Sequence, residues 1–150
     1  MPKSNPQTAI DLANTAEEAG AFDRALNIYS RAIVKHPDNP DLHYLRGRCL
    51  FHLKRYPEAL TDLTRTLDLQ PAFVSAYMFR ALIRYVTGDH RGAIADNTEA
   101  LKSPDVEPDF RARLLYARAM SYQALSETEL AQQDFEAAKI YDPAGKIAPR

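Results

Sequence analysis

A chain of 150 residues is one domain's worth of sequence, and with 45% hydrophobic residues it has enough apolar mass to fold. Its 19 Lys and Arg against 20 Asp and Glu give a net charge of −1, which excludes a global basic field for nucleic acid and an acidic tail. A single cysteine, Cys49, excludes an intrachain disulfide and a cysteine-built zinc site. Tryptophan is absent, and 10 prolines outnumber 5 glycines. A helical chain tolerates that many prolines only at regular boundaries.

The opening MPKSNPQTAIDL has no apolar core for a secretory leader, and no stretch approaches the ~18 apolar residues of a membrane span. The expected compartment is a reducing cytoplasm, with which the lone cysteine agrees. From residue 6 onward, small residues recur on a fixed clock. The first unit, 6–39, predicts a helix carrying Ala13 and a break at Ala19-Gly20-Ala21. A second helix carrying Ala25 and Ala32 then stops before Pro37. The second unit, 40–73, repeats this with Gly47, the break Leu53-Lys54-Arg55, Ala59, Thr66 and Pro71. The third, 74–111, has Ala81, the break Thr87-Gly88-Asp89, Ala93 and Ala100. The fourth, 112–145, has Ala119, the break Leu125-Ser126-Glu127, Ala131, Ala138 and Pro143. Successive columns lie 34, 34 and 38 residues apart.

A small residue repeated at one place on a helix lets a neighbouring helix approach closely. Small columns in both halves of the period therefore predict two helices per unit, packed against each other. Gly suits the position just past a helix end, and Pro57 suits a helix start. The prolines punctuate the repeat.

The pattern resembles the tetratricopeptide repeat family. The signature stands in the first unit as Ala13, Ala16, Gly20, Phe22, Ala25, Tyr29, Ala32 and Pro37, and the resemblance spans residues 6–145. Departures are the missing Trp near each repeat start, Asn97 in place of an aromatic, and four extra residues around Ser103–Pro108. The resemblance implies an all-α fold in one domain, 1–150. It would be a right-handed solenoid of four antiparallel helix pairs, with the first helix of each pair lining a concave groove. Apolar columns Leu26/Ile33, Leu60/Leu67 and Ile94/Leu101 face the next repeat, and Gln132/Lys139 replace them in the fourth. A polar last face predicts a complete four-repeat unit. The tail 144–150 is too short to form the separate capping helix usual in the family.

Two charged columns run through three of the repeats. Arg46, Arg80 and Arg118 lie on the first helices, and Asp62, Asp96 and Asp134 on the second, whereas the first repeat has Leu12 and Ile28. Each Arg has its own acid, which favours structural pairing over ligand binding by three arginines.

The face expected to line the groove carries Tyr44/Arg48/Phe51, Met78/Leu82/Tyr85 and Tyr116/Met120/Gln123; the first repeat has Ile10/Asn14/Glu17. Tyr, Phe, Met and Leu on one face form a candidate recognition surface, with Arg48 available to a ligand carboxylate. The alternative is packing or self-association within a tight superhelix. The family's two-carboxylate clamp for chaperone tails would fall on Ile10, Asn14, Leu45, Ser75 and Phe79, of which only Asn14 fits. Shifted by one repeat it falls on Tyr44, Arg48, Phe79, Arg113 and Ala117, which fits no better. A chaperone-tail ligand is disfavoured, and an apolar or mixed one expected.

Catalytic signatures are missing. HExxH, P-loop, Gly-rich dinucleotide and GxSxG motifs do not occur, so no enzyme, cofactor or metal is expected. His43 and His52 lie nine residues apart on one helix and point to opposite sides. Cys49 reads as a packed hydrophobe, Glu17-Glu18 as a solvated face, and Arg111 and Arg113 as a small basic spot. Two functions remain. One is an interaction scaffold or adaptor that binds a protein or peptide segment in the groove, without nucleic acid or membrane. The other is a homo-oligomeric assembly protein whose groove or edge is filled by a neighbouring subunit.

Overall fold

The computed structural model describes residues 5–148. Among the described residues it contains eight α-helices and no strand. In order they are α1 (Pro6–Glu18), α2 (Phe22–Lys35), α3 (Pro40–His52), α4 (Tyr56–Leu69), α5 (Val74–Val86), α6 (His90–Leu101), α7 (Pro108–Ala124) and α8 (Thr128–Tyr141).

Local chemistry sets both ends of these helices. Pro6, Pro40 and Pro108 open α1, α3 and α7, where their missing N–H costs nothing. Asn5 Oδ1 accepts the N–H of Gln7 at 2.9 Å, and Asn39 Oδ1 accepts that of Leu42 at 3.2 Å. The four first helices end alike. Gly20, Lys54, Gly88 and Ser126 take φ of 72°, 58°, 88° and 61°. In each turn the next N–H reaches back five residues. Ala21 bonds to Ala16 O at 2.8 Å, Arg55 to Leu50 O at 2.9 Å, Asp89 to Arg84 O at 2.8 Å and Glu127 to Tyr122 O at 2.9 Å.

The four extra residues lie elsewhere than expected. They do not lengthen the link before α7, which starts at Pro108, 34 residues after Val74. Instead α7 runs for 17 residues, against 13 in each of α1, α3 and α5. Four residues make about 1.1 helical turns, so the added turn leaves the packed face nearly in register. The fourth pair therefore begins at 108 rather than 112.

Two compact units pack separately, Met1–Ala76 and Tyr77–Arg150. In the first, Ala13, Ala25, Tyr29, Leu42 and Cys49 are fully buried together. A Cβ on Gly47 would meet Leu63 Cγ at 3.1 Å, so α3 and α4 touch almost backbone to side chain. In the second unit, Ala93, Ala112, Ala119 and Ala138 are fully buried. Gln132 and Lys139 stay exposed, each bonded to Glu136. Residues 142–148, beyond α8, are not helical, yet they fold back. Asp142 accepts the N–H groups of Lys146 and Ile147 at 2.9 Å and of Ala148 at 3.2 Å. Ile147 and Ala148 then pack on Ala112, Leu115, Tyr116 and Ala138.

Candidate functional site

The charged columns meet within each helix pair. Arg46 donates Nε to Asp62 Oδ2 at 2.6 Å and Nη2 to Oδ1 at 2.8 Å. Arg118 repeats the fork on Asp134 at 2.7 Å and 2.7 Å. Arg80 does so on Asp96 at 3.0 Å and 2.7 Å, and Arg84 adds a third bond to that carboxylate at 2.8 Å. All three Asp are buried and the Arg half-buried. The remaining guanidinium N–H groups of Arg46 and Arg118 reach the preceding helix, Nη1 to Ser30 Oγ at 3.4 Å and to Thr98 Oγ1 at 3.0 Å. Each fork ties a first helix to its own second helix, and those of Arg46 and Arg118 also reach the helix before. With their charge consumed internally, they offer no cation to a ligand.

The aromatic face divides between the two units. In the first, the Tyr44 ring lies 4.8 Å from Phe73, and Phe51 contacts His52 and Tyr56 at 5.6 and 6.0 Å. Arg48 departs from expectation. Its Nη2 donates to Glu17 Oε2 at 2.9 Å, so its carboxylate partner is internal rather than a ligand's. Glu17 is therefore no solvated face. It also accepts the Tyr29 hydroxyl at 2.9 Å, while Glu18 is exposed. Burial, reinforced by that bond to Glu17, pushes the Tyr29 phenol pKa well up. Asn14, the one clamp slot that fitted, accepts from the same hydroxyl at 3.0 Å.

In the second unit, Met78, Leu82, Tyr85 and Met120 come together around a pocket of about 270 Å³ between α5, α6 and α7. Phe79, Ala81, Asn97, Arg113, Ala117 and Ser121 complete its lining. Phe79, Arg113 and Ala117 stood among the shifted clamp slots, but no helical-face pattern pointed to Asn97, which comes from α6. Leu82 is 39% exposed at the rim. Tyr116 behaves differently from its expected neighbours. It is 6% exposed beneath Ile147 and Ala148, and its hydroxyl donates to Asp142 at 3.3 Å. The tail withdraws it from an open face.

Cys49 is buried, its thiol donates to Phe22 O at 3.3 Å, and burial pushes its pKa up to about 11. Among the described residues no group of three His, Cys, Asp or Glu is placed to hold a metal, and no helix is long and apolar enough to cross a membrane.

Comparison with known proteins places the architecture. Residues 10–71 and 55–108 match the tetratricopeptide repeat family. Rat serine/threonine-protein phosphatase 5 is 30% identical over 132 residues, covering 84% of this chain and 23% of its own. Wheat (Triticum aestivum) Hsp70-Hsp90 organizing protein is 30% identical over 105 residues, covering 70% of this chain and 18% of its own. Across these and similar curated relatives, the chain spans about a tenth to a quarter of their length. The crystal structure of MamA superposes with a TM-score of 0.85 at 20% identity, covering 95% of this chain and 81% of that one. MamA from Desulfovibrio magneticus gives 0.83 at 18%, covering 92% and 76%. The repeated small columns, the four matched turns and these likenesses agree: the chain belongs to the tetratricopeptide repeat family of all-α, protein-interacting solenoids.

Proposed function

We propose that this chain is a non-catalytic scaffold or adaptor that takes a peptide segment against the apolar, aromatic face of its first helices. The observation that carries the reading is the apolar pocket of about 270 Å³ formed by Met78, Leu82, Tyr85 and Met120 with their neighbours. Apolar surface gathered into a concavity is the ordinary form of a recognition site. The charge pattern supports an apolar or mixed ligand. Ile10, Leu45, Ser75 and Phe79 occupy slots of the double-carboxylate clamp that they do not fit, and Arg48 is held by Glu17. A chaperone C-terminal tail is therefore disfavoured. A reducing cytoplasm suits the buried thiol of Cys49.

Display of random 12-residue peptides on wild type and on Leu82→Ala/Met120→Ala tests this. Sequences enriched by the wild type and lost with the double variant are expected. No enrichment, or equal enrichment by both proteins, overturns it.

One observation favours a second reading. Leu12, 51% exposed, and Ile28 line an apolar cleft of about 300 Å³ at the edge of the first pair. A second copy of the chain covering that edge would make a homo-oligomer. Light scattering at micromolar concentration decides, since a monomer excludes it.

A further inference from the structure

The large apolar side chains exposed among the described residues gather in three places. Leu82 and Val86 stand on α5, Leu12 and Val34 on the first helix pair, and Leu130, Ile140 and Tyr141 on α8. The first and the last helix pairs are complementary in both shape and charge.

The first pair carries an empty seat for a helix. Its outer cleft of about 300 Å³ is lined by Thr8 and Leu12 of α1 and by Ile28, Arg31 and Lys35 of α2. Elsewhere the matching face of a first helix is covered. The counterparts of Thr8 are Leu42 and Leu114, both fully buried, and α2 packs on α3 as α6 packs on α7. Thr8 is exposed, because among the described residues no second helix precedes α1. The wall on α2 is basic. Arg24, Ile28, Arg31 and Lys35 recur at i, i+4, i+7 and i+11, which is one stripe of a helix. All three cations are exposed, and none has an ion-pair partner among the described residues. Arg65, the counterpart of Arg31, bonds Asp38 at 2.7 Å, whereas the position matching Asp38 holds Ser4. The missing carboxylate has to come from whatever fills the cleft.

The last helix has the opposite character. Among the described residues no helix pair follows α8. Leu130, Gln133, Ala137 and Ile140 recur at i, i+3, i+7 and i+10 as an outward stripe, with Glu129 and Glu136 exposed beside it. Glu129 has no ion-pair partner among the described residues, and the bond of Glu136 to Lys139 is an exposed one that costs little to exchange. The two Glu stand seven residues apart, as do Arg24 and Arg31, about 10.5 Å along each helix. This docking would not simply continue the solenoid. Leu26 and Ile33 of α2 pack into the core shared with α3, but their counterparts in α8 are the polar Gln132 and Lys139.

We propose that α8 of one copy seats its outer stripe in the α1/α2 cleft of a second copy, with Glu129 and Glu136 meeting Arg24 and Arg31. The inference rests on the homo-oligomer reading and names both surfaces of the contact. The contact is heterologous: each copy gives a different face, so one cleft and one α8 stay free to join further copies. A two-walled cleft fits a helix better than a flat lipid surface.

Sedimentation velocity from micromolar to near-millimolar concentration tests this. The proteins are wild type, Leu12→Lys, Ile140→Lys and Arg24→Glu/Arg31→Glu, all at exposed positions, with helicity checked for each. The wild-type mass should grow with concentration. Leu12→Lys and Ile140→Lys should each be monomeric alone. Their equimolar mixture should form a dimer and nothing larger, because one keeps a working α8 and the other a working cleft. Arg24→Glu/Arg31→Glu should weaken association about tenfold or more at low salt, and less at high salt. A wild type that stays monomeric overturns the inference and the homo-oligomer reading together, and its binding to anionic vesicles through Arg24 and Arg31 would assign the cations to a lipid surface. An oligomer indifferent to Leu12→Lys and Ile140→Lys overturns the inference and leaves homo-oligomerisation standing. Monomeric variants whose mixture does not associate overturn the head-to-tail contact.

Discussion

Arg48 Nη2 lies 2.9 Å from Glu17 Oε2, with both side chains mostly buried. The pair joins α3 to α1 across 31 positions of sequence, and Tyr29 donates to the same carboxylate at 2.9 Å. Glu17 thus collects one residue from each of the next two helices. Replacing it with Gln keeps the shape and removes the charge. Glu17→Gln should lower stability by about 1.5–3 kcal/mol, the range for hydrogen bonds to charged groups. Glu18→Gln, one residue along and exposed, should stay within about 0.5 kcal/mol. Urea unfolding of both variants checks this, and equal midpoints would refute a structural role for Glu17.

The Arg–Asp forks permit a sharper test. Asp96 serves both Arg80 and Arg84, and Arg84 also reaches Asp89, so removing Asp96 disturbs more than one pair. Asp134 has a single ion-pair partner among the described residues, Arg118, and is the cleaner choice. Asp134→Ile alone should cost about 3–5 kcal/mol, because it leaves a guanidinium without its buried partner. Adding Arg118→Leu should recover most of that loss. The first repeat already shows the apolar solution, with Leu12 and Ile28 in the equivalent positions. A double variant no better than the single would mean that the forks do not act as pairs.

The turns between paired helices predict opposite signs at matched positions. Gly20 sits at φ 72°, and a Cβ there meets nothing within 4 Å. Gly20→Ala should therefore cost about 1–2 kcal/mol from backbone conformation alone. Lys54 holds φ 58° with a side chain. Lys54→Gly should be neutral to stabilising, by up to about 1 kcal/mol, after the added freedom of the unfolded chain is subtracted. In thermal melts Gly20→Ala should fall below the wild type, and Lys54→Gly should match or exceed it.

Much of this was legible because the fold repeats. Ala25, Ala59 and Ala93 announced the helix pairs, and charges that appear and vanish together announced the forks. Three things were not legible, each for a physical reason. Glu17 looks like a surface acid because its partners lie 12 and 31 residues away on other helices. The position of Pro108 shows that α7 gained a turn, but the small columns record only where packing resumes, at Ala119. Asn97 reads as a mere lapse from an aromatic column until the space beside it is seen.

Cys49 should be inert in the native protein. Burial raises its pKa from an ordinary 9.0 to about 11, so almost no thiolate exists at pH 8. A group whose folded pKa is raised contributes stability below its unfolded pKa. That contribution is lost as pH rises, here between about 9 and about 11. A thiol reagent at pH 8 should react only at the rate of unfolding, and rapid stoichiometric labelling would contradict the buried geometry.

The tail should release in acid. Burial alone would raise the Asp142 pKa, but the backbone N–H groups of Ile147, Lys146 and Ala148, with the Tyr116 hydroxyl, hold it below the ordinary 3.8. A carboxylate with a depressed folded pKa contributes stability above its unfolded pKa and loses it as pH falls through the folded value. Amide exchange at Ile147 and Ala148 should therefore stay protected near neutral pH and become fast, relative to intrinsic rates, only below about pH 3.8. Asp142→Asn removes the charge and keeps the size, so it should expose those amides at every pH. It should also loosen Tyr116, on which Ile147 and Ala148 pack. Equal protection in the wild type and Asp142→Asn would show that apolar packing alone docks the tail.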